Sequence, residues 1–137
     1  MSKAIVYLNF DGNASQAMSF YRNALGGALE LQKVKESPMA SQLPETVQDQ
    51  VLHSCLTNDG IIIMASDMYG LGVMENGNSV HICLNCDSEK EINIFFNNLS
   101  ENATIKEPLS LAPWGALFGM LTDQYGKHWM FNYTKPK

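Results

Sequence analysis

Apolar residues recur along this chain with two different periods, and each change of period marks a new element. Ala4 to Phe10 is rich in β-branched and aromatic residues and stops at the turn pair Asp11-Gly12, so it reads as a strand. From Ala14 the period lengthens. Ala14, Ala17, Met18, Tyr21, Ala24 and Leu25 follow the i, i+3, i+4 rule of a half-buried helix, and Gly26-Gly27 supplies a left-handed stop. Asn13 and Gln16 have the spacing of a capping box, which predicts the helix start. Ala28 to Val34 reads as a strand. Glu36 to Gln50, carrying Pro38 and Pro44, reads as a long polar loop of the kind that often covers a site. Val51 to Thr57 and Ile61 to Ser66 read as two strands joined at Asn58-Asp59-Gly60, where Asp-Gly is a strong hairpin signal. The glycine- and asparagine-bearing stretch after them has little periodicity and is expected to be an internal linker.

Beyond that linker the pattern starts again. Val80 to Cys86 reads as a strand, and Asp87 or Ser88 can cap a helix with Glu91 at the N3 position of Ser88. Ile92, Phe95, Phe96 and Leu99 form the apolar stripe of that helix. Ala103 to Lys106 is expected as a short strand and Glu107 to Trp114 as a loop bearing prolines. Ala116 to Thr122 and Gly126 to Asn132 then read as strands around a turn. Both halves spell β-α-β-β-β, about 75 residues apart, which predicts an internal structural repeat. The expected organisation is a single domain over 1–137, with module one at about 4–67, a linker at 68–78 and module two at about 79–134. Neither half has enough surface to bury its own sheet, so the two are expected to complete one another.

Composition narrows the class. A chain of 137 residues buries a core without staples. Its three cysteines are an odd count, and two of them lie in an apolar stretch, so reduced thiols and a cytoplasmic location are expected. The N-terminus has no signal-type apolar region before Asp11, and no run approaches the ~18 apolar residues of a membrane span. Nine basic against 14 acidic residues leave a formal charge of −5. Without a basic face, nucleic acid is not an expected partner. No Gly-X-Gly-X-X-Gly follows a strand and no Walker-type loop is present, so nucleotide binding has no support.

The chain resembles the glyoxalase, bleomycin-resistance and dihydroxybiphenyl-dioxygenase group, the vicinal oxygen chelate superfamily, and within it the PhnB-like proteins. The resemblance is carried by Tyr7-Leu8-Asn9-Phe10-Asp11-Gly12-Asn13, by Ala17 through Phe20-Tyr21 to Leu25-Gly26-Gly27, and by Ile63-Met64-Ala65-Ser66-Asp67. A tail pattern of Trp114-Gly115, Phe118-Gly119, Thr122-Asp123, Gly126, Trp129-Met130 and Asn132 extends it over nearly the whole chain. It implies an α+β fold in which paired βαβββ modules form a cupped mixed sheet, assembled as a homodimer. In the catalytic members a divalent metal sits in the cup. Carrying the metal-ligand positions over puts Ile5 at the first, Ile63 or Met64 at the second, His81 at the third and Met130 at the fourth. His81 is the only retained ligand position, and one imidazole among aliphatics and a thioether does not make a hard-metal site. No cofactor is therefore expected, and a divalent metal is disfavoured. PhnB-like sequences also carry a label of likeness to ubiquinone-pathway methyltransferases, but no glycine-rich cofactor loop accompanies it here.

The remaining chemistry clusters around His81-Ile82-Cys83-Leu84-Asn85-Cys86. On a strand His81, Cys83 and Asn85 share one face while Cys86 turns to the other, so the three groups do not meet at one ion. His53 and Cys55 repeat the His-X-Cys spacing, and a zinc set of His53, Cys55, His81 and Cys83 requires the two strands to meet. The competing interpretation makes each cysteine a small buried hydrophobe and each histidine a hydrogen-bonded wall residue. If His81 faces the cup, alternation also brings His128, Met130 and Asn132 inward and turns Trp129 and Phe131 outward, with Tyr7 and Asn9 on the face of Ile5. The expected ligand pocket comprises Tyr7, Asn9, His53, His81, Cys83, Trp114, His128, Met130 and Asn132, the orientation of His53 being open. The competing interpretation of Trp114, Trp129 and Phe131 is core or dimer-interface packing, which for Trp129 is the favoured one. Two functions follow. One is a module that binds a small organic molecule in the cup without the usual metal site. The other is a lyase- or isomerase-type enzyme of the superfamily, using an atypical metal set or acid/base chemistry at His81 or His128.

Overall fold

A computed structural model describes residues 2–69 and 72–136 of the chain. Gly70 and Leu71, within the expected linker, lie outside the described residues. The chain divides into two compact units, Met1–Glu75 and Asn76–Lys137. The first contains β1 (Val6–Phe10), α1 (Ala14–Leu25), β2 (Ala28–Lys33), β3 (Val51–Asn58) and β4 (Ile61–Asp67). The second contains β5 (Ile82–Asn85), α2 (Glu89–Leu99), β6 (Thr104–Leu111), β7 (Ala116–Thr122) and β8 (His128–Thr134). Each unit holds one helix and one mixed four-stranded sheet, ordered β1-β4-β3-β2 in the first and β5-β8-β7-β6 in the second. The class is α+β with the βαβββ repeat. Among the described residues no helix is long and apolar enough to cross a membrane.

The register repeats as well as the order. In the first sheet Tyr7 pairs Met64, Met64 pairs Cys55, and Cys55 pairs Glu30. In the second Cys83 pairs Met130, Met130 pairs Met120, and Met120 pairs Glu107. Each row runs from the edge strand through a methionine on the last strand to a glutamate on the far edge. The shared string Leu8-Asn9 before Phe10-Asp11, and Leu84-Asn85 before Cys86-Asp87, places an asparagine at the same point of both edge strands.

Within the first unit α1 buries Ala14, Ala17, Met18, Tyr21, Ala24 and Leu25, the stripe that its 3.6-residue period predicts. Its start corrects the capping-box expectation. Asn13 makes no side-chain cap bond, and its Oδ1 is buried with no partner among the described residues. The carboxylate of Asp67 caps the corner instead: Oδ1 accepts from the backbone amides of Gly12 at 2.8 Å and Ala14 at 3.0 Å, and Oδ2 from that of Val51 at 2.8 Å. An ionised acceptor reaching in from the end of β4 makes stronger bonds to orphan amides than a neutral amide oxygen does. At the other end Gly27, at φ +100°, packs directly on the backbone oxygen of Thr57, a place only glycine can occupy. Between β2 and β3 the chain forms three short 3-10 turns, Val34–Glu36, Ala40–Gln42 and Glu45–Val47, the first of which takes in Val34, expected as strand.

In the second unit Ser88 rather than Asp87 caps α2, its Oγ accepting from the Glu91 amide at 3.0 Å. Glu91 reciprocates one residue earlier, accepting from the Asp87 amide at 3.0 Å. Ile92, Phe95, Phe96 and Leu99 are buried. Phe96 stands edge-on to Phe131 at 5.1 Å and lies over Gly119, where an added Cβ would meet its ring at 2.8 Å. Helix and sheet thus touch across a position that has no side chain. The expected loop from Glu107 to Trp114 is largely strand, because β6 runs through Pro108 to Leu111. Proline is tolerated there for two reasons. β6 is an edge strand, and its register slips between Glu107 and Ser110, so the missing N–H removes no regular ladder bond.

Candidate functional site

Each sheet buries one face under its helix and leaves the other open, and alternation along the strands decides which side chains line the open face. On the first sheet Tyr7 and Asn9 are exposed while Phe10 is fully buried. His53 and Cys55 share that open face, since Ser54 and Leu56 between them are fully buried. The His53 ring lies 6.5 Å from that of Tyr7, on the same face of the first sheet. On β4 Ile63 is in the core at 2% exposure, so Met64, the register partner of Tyr7, is the open-face residue of that pair.

The second sheet carries the denser set. Trp129 and Phe131 are fully buried beneath α2, and Trp129 Nε1 donates to Asp123 Oδ2 at 2.7 Å. Trp129 is therefore core. Asp123 Oδ1 also accepts from the amides of Tyr125 at 2.8 Å and Lys127 at 3.1 Å, so Asp67 and Asp123 both serve backbone amides. His128, Met130 and Asn132 alternate onto the open face, beside Cys83 and Asn85 on β5 and Phe118 and Met120 on β7. The rings of His81 and His128 are 5.4 Å apart. Trp114, at 64% exposure, stands edge-on to Phe118 at 5.5 Å. Of the nine expected pocket residues, Tyr7, Asn9 and His53 sit on the first sheet, and His81, Cys83, Trp114, His128, Met130 and Asn132 belong to the second unit.

The chemistry open to these groups is narrow. Both ring nitrogens of His128 are engaged: Nδ1 meets Thr122 Oγ1 at 2.9 Å and Nε2 meets the Gly77 carbonyl at 2.6 Å. A carbonyl only accepts, so Nε2 carries the proton and Nδ1 of the neutral ring accepts from the threonine hydroxyl. Both nitrogens of His128 are thus engaged with groups of the fold. Burial raises the Cys83 thiol above its ordinary value. The Cys86 thiol, 7% exposed, is pushed up to about 12 by burial and by the nearby Glu91 and Asp87 carboxylates. Neither is a thiolate at neutral pH, so neither is an activated nucleophile or a ready soft-metal ligand. Among the described residues no three His, Cys, Asp or Glu side chains converge where they could hold a metal ion.

Sequence reasoning passed over Thr122, Gly77 and Phe118. Alternation in β7 puts Phe118, Met120 and Thr122 on one face and could have indicated two of them. Nothing local marks Gly77, which meets His128 through a separation of 51 residues.

With this geometry in place, comparison with known proteins gives a consistent result. Residues 2–131 match the family model described as 3-demethylubiquinone-9 3-methyltransferase. The chain is similar to the solved structure of protein PA1353 from Pseudomonas aeruginosa, at 34% identity and TM-score 0.88, covering 99% of this chain and 100% of that one. The PhnB protein from Bacillus cereus is 25% identical with TM-score 0.74, covering 97% and 100% of the two chains. A glyoxalase/bleomycin resistance protein/dioxygenase family enzyme from Burkholderia phytofirmans shares the fold, with TM-score 0.63 at 12% identity over 97% and 100% of the chains.

Proposed function

The chain belongs to the family described as 3-demethylubiquinone-9 3-methyltransferase, the PhnB-like branch of the glyoxalase, bleomycin-resistance and dioxygenase superfamily, and from that premise we propose a small-molecule-binding protein without the superfamily's usual metal chemistry. We take 1–137 as one domain of two modules, acting in the cytoplasm as a homodimer. The observation that carries the reading is the content of the open sheet faces. The resemblance carries the metal-ligand positions onto Ile5, Ile63 or Met64, His81 and Met130, of which Ile63 is in the core, and the neighbouring His128 has both nitrogens engaged. What remains is apolar surface with a few polar groups and one glutamate at the far edge of each row, Glu30 and Glu107, the make-up of a site that holds an organic molecule. Methyl transfer finds no support, because the sequence has no glycine-rich cofactor loop.

Metal analysis of protein purified without a histidine tag, alongside a thermal-shift screen of small organic molecules, tests this. The expected result is a substoichiometric divalent metal content and at least one organic ligand, which at about 100 times its dissociation constant adds ~2.7 kcal/mol of stability. One divalent ion per chain that is lost in His81→Ala overturns the reading.

A second reading has one observation in its favour. Among the described residues the His81 side chain has no hydrogen-bond partner, and its ring lies 5.4 Å from that of His128; an imidazole so placed can serve as an acid or base. That enzyme reading requires a turnover abolished by His81→Ala with ligand affinity retained.

A further inference from the structure

Two asparagines on the open face of the second sheet are joined side chain to side chain: Asn132 Nδ2 donates to Asn85 Oδ1 at 2.9 Å. They are register partners on β8 and β5, so the strand ladder holds their backbones and the bond holds their amide planes. The bond uses one donor and one acceptor. Among the described residues Asn85 Nδ2 and Asn132 Oδ1 have no further partner, and together they present a donor and an acceptor on a rigid mount.

Next to this pair lies an aromatic shelf. Phe118 is the register partner of Asn132 on β7, and Trp114 leans on it edge-on, at 72° between ring planes. Trp114 is held by a turn in which Gly115 takes φ +90°, its amide bonded to the Ala112 carbonyl at 3.0 Å, while the Ala112 amide bonds the Ala116 carbonyl at 2.7 Å. A tryptophan fixed in this way and still 64% exposed leaves an indole surface available for stacking.

We propose that Asn85, Asn132, Phe118 and Trp114 form a subsite for a flat, uncharged ring bearing a lactam or carboxamide edge. The ligand carbonyl accepts from Asn85 Nδ2, its N–H donates to Asn132 Oδ1, and its ring stacks on the shelf. The charge of the surroundings selects for neutrality. No lysine or arginine shares this row of the sheet, which runs from Asn85 through Asn132 and Phe118 to Ser110, and the next row ends at Glu107. A carboxylate finds no cation there, and leaving the two amides unpaired under a plain hydrocarbon ring costs their desolvation. This subsite deepens the small-molecule reading above and rests on it.

The test uses three probes on one ring system: 2-quinolinone, N-methyl-2-quinolinone and quinoline-2-carboxylate. Binding is followed in the full chain by NMR, at the side-chain amides of Asn85 and Asn132 and the indole N–H of Trp114. The lactam should give saturable shifts at all three and bind at least about tenfold tighter than the other two, the loss expected for one unmade hydrogen bond at an unpaired acceptor. In Asn132→Leu the preference for the lactam over its N-methyl form should vanish while ring binding persists, and Trp114→Ala should weaken all three probes alike. Equal affinity for the three probes, or a preference that survives in Asn132→Leu, overturns the subsite. Those results leave the small-molecule reading intact if the thermal-shift screen yields a ligand of another class.

Discussion

The Nε2–H of His128 donates to the carbonyl oxygen of Gly77 at 2.6 Å, so the first residue of the last strand is tied to the stretch that precedes the second module. Beside it Lys127 Nζ donates to Asn76 Oδ1 at 2.7 Å. Two consecutive residues thus hold two consecutive residues.

The His128 clamp predicts a tautomer. Nitrogen-detected NMR of the neutral ring should report a proton on Nε2 and none on Nδ1. Thr122→Val should leave that tautomer in place but lower stability by about 1 kcal/mol in urea unfolding, since it leaves Nδ1 without its donor. A dominant Nδ1–H form contradicts the assignment.

Asp67 is 2% exposed and accepts from three backbone amides, those of Gly12, Ala14 and Val51. Asp67→Ala orphans all three and should cost about 3–5 kcal/mol in denaturant unfolding. Asp67→Asn keeps one acceptor oxygen and should fall between that variant and the wild type. A loss in Asp67→Ala below about 1 kcal/mol would show that water replaces the carboxylate.

Two glycines resist substitution for different reasons. Gly119→Ala places a methyl 2.8 Å from the Phe96 ring and should cost about 1–3 kcal/mol through overpacking. Gly27→Ala meets the backbone oxygen of Thr57 and also takes a residue with a Cβ to φ +100°. Ring edges yield more readily than backbone, so Gly27→Ala should be the more damaging of the two by thermal denaturation. The reverse order would mean that the Gly27 corner relaxes.

Cys86 sets a pH dependence. Its thiol titrates near 9.0 when unfolded and is pushed up to about 12 in the fold, so the native state holds the proton over a range where the unfolded state releases it. The stabilisation is fully present below pH 9 and is lost progressively as pH rises from 9 toward 12. Urea unfolding between pH 8 and 10.5 should therefore show a steeper decline for the wild type than for Cys86→Val. Thiol-labelling reagents should modify Cys83, which is exposed, well before Cys86, which is buried. Parallel pH profiles of the two proteins would remove Cys86 as the source.

Local pattern made much of the fold legible. The stripe from Ala14 to Leu25 and that from Ile92 to Leu99 are each set by one helix burying one face, a property of spacing alone. The Asp59-Gly60 hairpin and the βαβββ repeat follow from the same short-range information. Two local signals misled. Asn13 had the right residue type for a cap, but Asp67 at the end of β4 offers those amides a charge. Pro108 indicated a loop, but an edge strand with a slipped register has no regular bond for proline to break.

By itself the sequence determined the fold class, the family, the two helices and the alternation that puts His128, Met130 and Asn132 on one face with Trp129 and Phe131 on the other. These depend on periodicity and turn chemistry, which act over a few residues. Only the tertiary structure decided that His128 is occupied by Gly77 and Thr122, that Asp67 caps a helix from the end of the neighbouring strand β4, and that Asn85 meets Asn132 across 47 residues. Pairings of that kind depend on which strands become neighbours and in what register. Register is set by the packing of whole sheets under their helices, not by any local stretch of chain.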